Sequence, residues 1–166
     1  MKEKILDLHN IYLDGNVLDI GYKDYGIVYN LCKRQEENLD IDYVFGEGEE
    51  ALDEAKYDKC VLFFSLKNIW TNSEKEKAFQ FAWEVLKDEG EIYIWDIDKG
   101  IKKTFNYKIK VIISENNIRV MNLIDVNPFN DNSKENIIKL LTSKFDIMDF
   151  DYNDEVFFIR ARKKGC

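Results

Sequence analysis

The sequence has little cysteine, histidine or proline, and these shortages limit the classes of protein to which it can belong. Its 166 residues include three cysteines, one histidine and one proline. The odd number of cysteines disfavours the disulfide framework of a small secreted domain. Cys32, Cys60 and Cys166 are far apart and His9 is the single histidine, so a zinc site is also disfavoured. We therefore expect reduced thiols, no metal and a cytoplasmic location.

Long apolar runs and basic surface are missing as well. No stretch approaches the roughly 20 apolar residues that cross a bilayer, and Met1–Ile5 lacks the apolar character of a signal peptide. The net charge is −8, and apart from Arg160–Lys164 the basic residues are spread thinly, so no broad nucleic-acid surface is expected. A chain of 166 residues that is 45% hydrophobic suits one folded domain, residues 1–166. The oligomeric state is left open.

The strongest local pattern is a strand, a glycine turn and a helix near the start of the chain. Val17–Ile20 reads as a short buried strand that is followed by Gly21. An apolar stripe at helical spacing then includes Ile27, Val28 and Leu31. In α/β proteins such a turn lies at the carboxyl end of a strand, where ligand crevices form. We therefore expect a binding site at this turn.

This turn resembles motif I of the class I S-adenosylmethionine (SAM) dependent methyltransferases, which reads V-L-D-I-G-C-G-x-G. Val17 to Gly21 match its first half, whereas Tyr22, Lys23 and Tyr25 stand where the family has a small residue and further glycines. The resemblance implies that Asp19, Gly21, Tyr22 and Lys23 lie near the methionine portion of SAM.

The next strand and its turn resemble the family's third strand. Leu39–Phe45 alternates polar and apolar residues and is followed by Gly46-Glu47-Gly48. The resemblance implies that Glu47 lies near the adenine, and that the family's second strand is missing or fused into this segment. In the family, that second strand ends with the acid that holds the ribose hydroxyls. Asp42 is either the substitute for this acid or a residue on the solvent face of an alternating strand.

The central part of the chain resembles the family's fourth and fifth strands. The run Tyr57–Leu66 predicts a strand covered on both faces. The resemblance implies that Phe64, Ser65 and Leu66 form the floor of the cofactor site. A capping box at Ser73 and Glu76 predicts a helix that ends at Lys87–Gly90, before a strand over Glu91–Ile97.

The two ends of the chain complete the predicted fold. Residues 2–12 are expected to form a short lead-in helix, and residues 107–125 an extra hairpin. A helix precedes a final antiparallel pair over 145–162. We therefore predict a three-layer, Rossmann-like methyltransferase fold, with a mostly parallel sheet, a C-terminal antiparallel hairpin and a shortened front half.

The resemblance implies a methyltransferase that uses SAM as cofactor and an unidentified acceptor as substrate. The family has no universal catalytic residue, because orientation of the acceptor supplies most of the rate gain. The alternative is a degenerate relative that has lost SAM and serves as a binding or regulatory module. A nucleotide-dependent oxidoreductase is disfavoured, because no G-x-G-x-x-G follows the first strand.

Several side chains have two interpretations at this stage. His9 is either an interfacial residue or a general base. Trp70 either caps the sheet or contacts substrate, and Trp95 either packs against the sheet or lines a pocket for a flat substrate. Tyr22, Tyr25 and Phe64 are the other aromatic candidates for that pocket.

Overall fold

The computed structural model describes residues 2–21, 26–33, 41–45 and 55–165, with the backbone alone for 41–45. Within these residues, nine strands form two sheets: β1 (Lys2–Asp7), β2 (Val17–Gly21), β3 (Ile41–Phe45), β4 (Tyr57–Phe63), β5 (Leu86–Ile97), β6 (Phe105–Ser114), β7 (Asn117–Asp125), β8 (Phe145–Asn153) and β9 (Val156–Lys163). The helices in these ranges are α1 (Ile27–Lys33), α2 (Asn72–Val85) and α3 (Lys134–Leu141), and a short 3₁₀ turn spans Leu66–Asn68. No helix of the described residues is long and apolar enough to cross a membrane.

The larger sheet has six strands in the order β3-β2-β4-β5-β9-β8. Its first four strands are parallel to one another, and β9 and β8 are antiparallel to their neighbours. This confirms in part the predicted mostly parallel sheet with a terminal antiparallel pair. The second sheet, with the order β1-β6-β7, was not predicted.

The strand predicted as the third of the fold occupies the second strand's place. β3 pairs directly with β2, and Val17 lies opposite Ile41 and Gly21 opposite Phe45. In a doubly wound sheet the second strand lies beside the first and the third lies outside it. The assignment of Leu39–Phe45 to the third strand was therefore wrong, and no strand beyond β3 is found among the described residues.

The two faces of the six-stranded sheet are covered by different elements. α2 and α3 cover one face, which we call the helix-covered face and which includes Leu18, Leu62 and Ile94. α1 and the three-stranded sheet cover the other, which we call the sheet-covered face and which includes Phe63 and Trp95. Because side chains alternate along a strand, each central strand supplies apolar residues to both faces.

The start of the chain is a strand and not the lead-in helix that was predicted. β1 pairs in parallel with β6, in a register that places Lys2 opposite Tyr107 and Asp7 opposite Ile112. β6 and β7 form the predicted hairpin. The prediction for β1 failed because the partner that makes it a strand lies about a hundred residues further along the chain.

The long helix α2 begins and ends slightly earlier than its sequence suggested. Thr71 is the N-cap, and its hydroxyl oxygen accepts a hydrogen bond from the Glu74 backbone N–H at 3.1 Å. Thr71 and Glu74 have the same capping-box spacing as the predicted Ser73 and Glu76, two residues upstream. The helix ends at Val85, and the predicted terminal segment Lys87–Gly90 belongs to β5.

Candidate functional site

The carboxyl ends of β2, β4 and β5 lie at one edge of the six-stranded sheet. From β2 the chain continues to β3 on one side, while β4 and β5 lie on the other side. The order of the strands therefore reverses between β2 and β4, and a crevice at such a position is the usual ligand site of an open α/β sheet. Asp19 and Gly21 at the end of β2 and Phe64 after β4 lie at this position, which we call the crevice.

The turn after β4 fastens the ends of the three strands together. The Phe64 N–H donates to the Trp95 carbonyl of β5 at 2.7 Å. The Ser65 hydroxyl donates to the Ile20 carbonyl of β2 at 2.9 Å. The structure therefore brings Phe64, Ser65 and Leu66 to the edge where the sequence had placed them, and Ser65 is used to hold β2 beside β4.

Phe64 has an unusual backbone conformation for a residue with a side chain. Its φ of 51° lies in the left-handed region, which favours glycine. The phenyl ring is 1% exposed and packs edge-on against Phe63, with ring centroids 4.7 Å apart. A strained residue at a crevice is held by its surroundings, and such residues are concentrated at functional sites.

Asp19 is buried on the sheet-covered face, close to helix α1. Its residue is 5% exposed, and its carboxylate is near enough to Cys32 of α1 to affect that thiol. Burial, followed by the negative charge of Asp19, raises the pKa of Cys32 to about 12. Burial also raises the pKa of Cys60. These two cysteines therefore stay protonated and serve packing, not nucleophilic catalysis.

Asp96 is a second acid at this edge, and the sequence analysis did not select it as a site residue. Its Oδ2 accepts the Leu66 N–H at 3.0 Å and its Oδ1 accepts the Ile97 N–H at 2.8 Å. Complete burial raises the pKa of Asp96 to about 6, and these two hydrogen bonds only partly oppose the effect of burial. An acid next to the carboxyl end of a parallel strand is the sequence signal that could have identified it.

A buried polar network lies beside Asp96 and fixes the segment 126–133. The Lys75 ammonium donates to Asn130 Oδ1 at 2.7 Å and to the Asp131 carbonyl at 3.0 Å. The Asn130 amide in turn donates to the Lys67 carbonyl at 3.1 Å. These bonds join α2, the 3₁₀ turn and the segment before α3 at the carboxyl edge of the sheet.

Lys99 and Asn132 complete this network. The Lys99 ammonium donates to the carbonyl oxygens of Asn127 at 2.5 Å and Asn130 at 3.0 Å, and it lies 3.4 Å from Asp125 Oδ2. The Asn132 amide is fully buried and affects the pKa of Asp96, yet it forms no hydrogen bond of normal geometry with the described residues.

The other predicted cofactor residues are not brought together by the described structure. Asp42 lies in the middle of β3, opposite Leu18, and its side chain is not described. Tyr22, Lys23 and Glu47 lie outside the described residues. Their roles therefore stay predictions.

The structure also distinguishes the aromatic and histidine candidates. Trp70 is 62% exposed, so it does not cap the sheet. Trp95 is 1% exposed and packs on the sheet-covered face, 4.7 Å from the Phe158 ring. His9 is exposed, and its Nδ1 lies 2.6 Å from Asp7 Oδ1.

A separate pocket of about 330 Å³ lies at the opposite edge of the sheet, near the amino ends of the strands. Asp14, Asp58 and Glu89 are among its lining residues. Because ligands of open α/β sheets bind at the carboxyl ends of the strands, this acidic pocket is not part of the candidate site.

The fold was then compared with known proteins. A protein from Pyrococcus horikoshii OT3 matches with a TM-score of 0.65 and 14% identity, over 95% of this chain and 85% of that one. A SAM-dependent methyltransferase from Methanosarcina mazei matches with a TM-score of 0.60 and 14% identity, over 94% of this chain and 96% of that one. This chain has the class I SAM-dependent methyltransferase fold.

A third solved structure with this fold carries bound ligands. It is the 1,6-didemethyltoxoflavin-N1-methyltransferase of Burkholderia thailandensis, with 1,6-didemethyltoxoflavin and S-adenosylhomocysteine bound. It matches with a TM-score of 0.59 and 11% identity, over 90% of this chain and 71% of that one. No model of a known protein family and no curated protein matches the sequence.

Proposed function

We propose that this protein is a SAM-dependent methyltransferase that acts on a small-molecule acceptor. The observation that carries the proposal is the reversal of strand order between β2 and β4 in a methyltransferase fold, with Asp19, Gly21 and Phe64 at the carboxyl ends of these two strands. The solved relatives of this fold include proteins with SAM or its product bound.

The residues at the crevice fit the chemistry of this cofactor. SAM combines a cationic sulfonium, which supplies the methyl group, with an amino acid portion that carries an ammonium and a carboxylate and with the flat adenine ring. The Asp19 carboxylate is an acceptor for an ammonium or for a water that bridges to it. Gly21 leaves room for close approach to the backbone, and the turn from Phe64 to Leu66 provides an apolar flank.

The position of β3 changes the expected role of Glu47. The acid that holds the ribose hydroxyls follows the family's second strand, and β3 occupies that strand's place beside β2. Gly21 lies opposite Phe45, the last residue of β3, and Glu47 follows Phe45 by two residues. We therefore assign the ribose contact to Glu47 in place of Asp42, which lies three residues before the end of the strand.

The protein's part in the reaction is to hold the acceptor in line with the methyl group and to exclude water. Orientation of this kind accounts for a large share of the rate of such a transfer. The ties from Phe64 and Ser65 to β5 and β2 make the crevice rigid, which favours a fixed alignment.

Calorimetric titration with S-adenosylhomocysteine tests the proposal. We expect binding, and thermal unfolding should show a stabilisation of roughly 2.7 kcal/mol at a ligand concentration 100 times Kd. Glu47→Gln should weaken binding about tenfold or more, because it removes a charged acceptor from two hydroxyl donors. Glu50→Gln, in the same stretch, is the matched control.

The two parts of the proposal can fail separately. Binding that Glu47→Gln leaves unchanged would overturn the ribose assignment but not the use of SAM. No binding at millimolar S-adenosylhomocysteine would overturn the methyltransferase proposal and favour the degenerate binding module, with Tyr22, Lys23 and Tyr25 in place of the family's small residues and glycines.

A further inference from the structure

A cavity of about 440 Å³ lies between the two sheets and is not part of the crevice. Strand β1 and the turn after it form one wall, and β5, β8 and β9 form the other. Its volume falls in the range of small-molecule sites in proteins.

The register of the strands places this cavity at the same edge of the sheet as the crevice. Trp95 lies opposite Phe63 of β4 on one side and Phe158 of β9 on the other, and Phe158 lies opposite Asp151 of β8. Phe63 is the last residue of β4, and Trp95 lies two residues before the end of β5. Phe158 and Asp151 are at the same level on β9 and β8. The cavity therefore opens beside the crevice, on the sheet-covered face.

The walls of the cavity are apolar and aromatic. The Trp95 ring is 1% exposed and stacks on Phe158 with centroids 4.7 Å apart, and Leu8 is also buried. Apolar walls of this kind stabilise a flat or aliphatic body of matching size by removing it from water.

The polar groups that line the cavity are acids and an amide. Asp7, Asp151 and Asn153 line it, and no lysine or arginine of the described residues does so. Lys4, on the inward side of β1, is held by Asp154 at 3.0 Å and Glu155 at 3.4 Å. Of the two acids, Asp7 is paired with His9, whereas Asp151 forms no ion pair with the described residues.

One oxygen of each acid is available to a ligand. His9 occupies Asp7 Oδ1 through its backbone N–H at 3.0 Å and Nδ1 at 2.6 Å, and the Tyr152 N–H donates to Asp151 Oδ1 at 2.9 Å. Oδ2 of both acids accepts no hydrogen bond from the described residues. The hydrogen bonds from His9 also lower the pKa of Asp7, so this carboxylate is ionised at neutral pH.

We propose that this cavity binds a small organic amine, with the apolar body against Trp95 and Phe158 and the ammonium at Asp7 and Asp151. The proposal does not depend on SAM binding. A charge-assisted hydrogen bond to a carboxylate favours an ammonium over a hydroxyl of the same shape.

A matched set of three probes tests the class of ligand. 2-Phenylethylamine, 2-phenylethanol and 3-phenylpropanoate present similar bodies with a cationic, a neutral and an anionic end. In titrations followed by ¹H–¹⁵N NMR, we expect the amine to shift the indole N–H signal of Trp95 and to bind at least tenfold more tightly than the alcohol. The propanoate should bind most weakly.

Two variants assign the charge preference to the cavity. Asp151→Asn should reduce the preference for the amine severalfold, and the double variant Asp7→Asn with Asp151→Asn should bring the amine and the alcohol to similar affinities. Asp146→Asn is the matched control, because Asp146 is an exposed acid of β8 that does not line the cavity.

Other outcomes would overturn the proposal. In the unchanged protein, these outcomes are equal affinities for the amine and the alcohol, indole N–H shifts confined to Trp70 or Trp83, or no shift at 10 mM probe. In the double variant, a retained preference for the amine would also overturn it. The titrations contain no SAM or S-adenosylhomocysteine, so their result is separate from that of the methyltransferase test.

Discussion

The helix-covered and sheet-covered faces of the central sheet each bury a lysine, but they do so in different ways. Lys75 of α2 is completely buried and donates to neutral oxygens of Asn130 and Asp131. Lys4 of β1 is 1% exposed, yet its carboxylate partners Asp154 and Glu155 are 55% and 40% exposed. The Lys75 ammonium therefore interacts with buried protein groups, whereas the carboxylates that bind Lys4 are also in contact with water.

This difference shows how the two faces are stabilised. On the helix-covered face, burial lowers the pKa of Lys75, and the nearby Asp96 partly opposes that effect. On the sheet-covered face, the Lys4 ammonium also lies 4.5 Å from the centre of the Tyr107 ring, which joins β1 to β6. Replacing Lys75 should therefore leave polar groups that water cannot reach. Replacing Lys4 should leave carboxylates that water can solvate.

The largest effect is expected for Lys75→Met. This change removes the donor to the buried Asn130 Oδ1 and one of the two donors to the Asp131 carbonyl, which also accepts from the Asn136 amide. We expect the free energy of unfolding to fall by about 2–4 kcal/mol. Urea denaturation measures it. Lys77→Met, at an exposed position of the same helix, should change stability by less than about 0.5 kcal/mol. An equal decrease in the free energy of unfolding of the two variants would show that the Lys75 network does not contribute to stability.

The next effect is the pH dependence that Asp96 contributes. Burial raises the pKa of Asp96 from 3.8 to about 6 in the folded protein. At a pH between these two values, Asp96 is therefore mostly protonated in the folded state and mostly ionised in the unfolded state. Asp96 should therefore add stability as the pH falls from about 6 to 4, by up to roughly 3 kcal/mol.

Comparison with Asp96→Asn isolates this contribution. The stability difference between the original protein and the variant, measured by urea denaturation from pH 4 to 7, should grow in favour of the original protein towards low pH. A difference that does not change with pH, or that changes in the opposite direction, would show that the Asp96 carboxyl is not destabilised by burial.

The smallest effect is expected for Lys4→Met on the sheet-covered face. The half-exposed carboxylates can be solvated when the ammonium is removed, so we expect a loss of about 1 kcal/mol. Lys2→Met, at an exposed position of the same strand, is the control for urea denaturation. A loss as large as that of Lys75→Met would remove the contrast between the two faces.

The elements of the central sheet could be predicted because their signals are local. The strand that ends at Gly21, the apolar run before Ser65 and the helix that includes Phe79 each combine a hydrophobic pattern with a turn or a cap. The turn after β4 was expected at the cofactor site, and the structure places it at the carboxyl edge. The ties from Ser65 and Leu66 to neighbouring strands could not be predicted, because they depend on which strands are adjacent.

The place of β3 and the second sheet could not be derived from their own residues. β3 alternates polar and apolar residues in the same way whether it lies beside β2 or outside another strand. β1 is short, and its apolar residues Ile5 and Leu6 fit one helical turn as well as a strand. In both cases the deciding interaction is with a segment that is distant in the sequence.

The sequence by itself determined the parallel core, the glycine at the end of β2, the terminal hairpin and the resemblance to methyltransferases, because periodicity, capping and turn chemistry act over a few residues. Only the tertiary structure decided that β3 takes the second strand's place, that Asp96 is buried at the carboxyl edge, and that a second sheet encloses a cavity beside Trp95. These features depend on strand pairing and on the exclusion of water between distant segments, which no local pattern encodes.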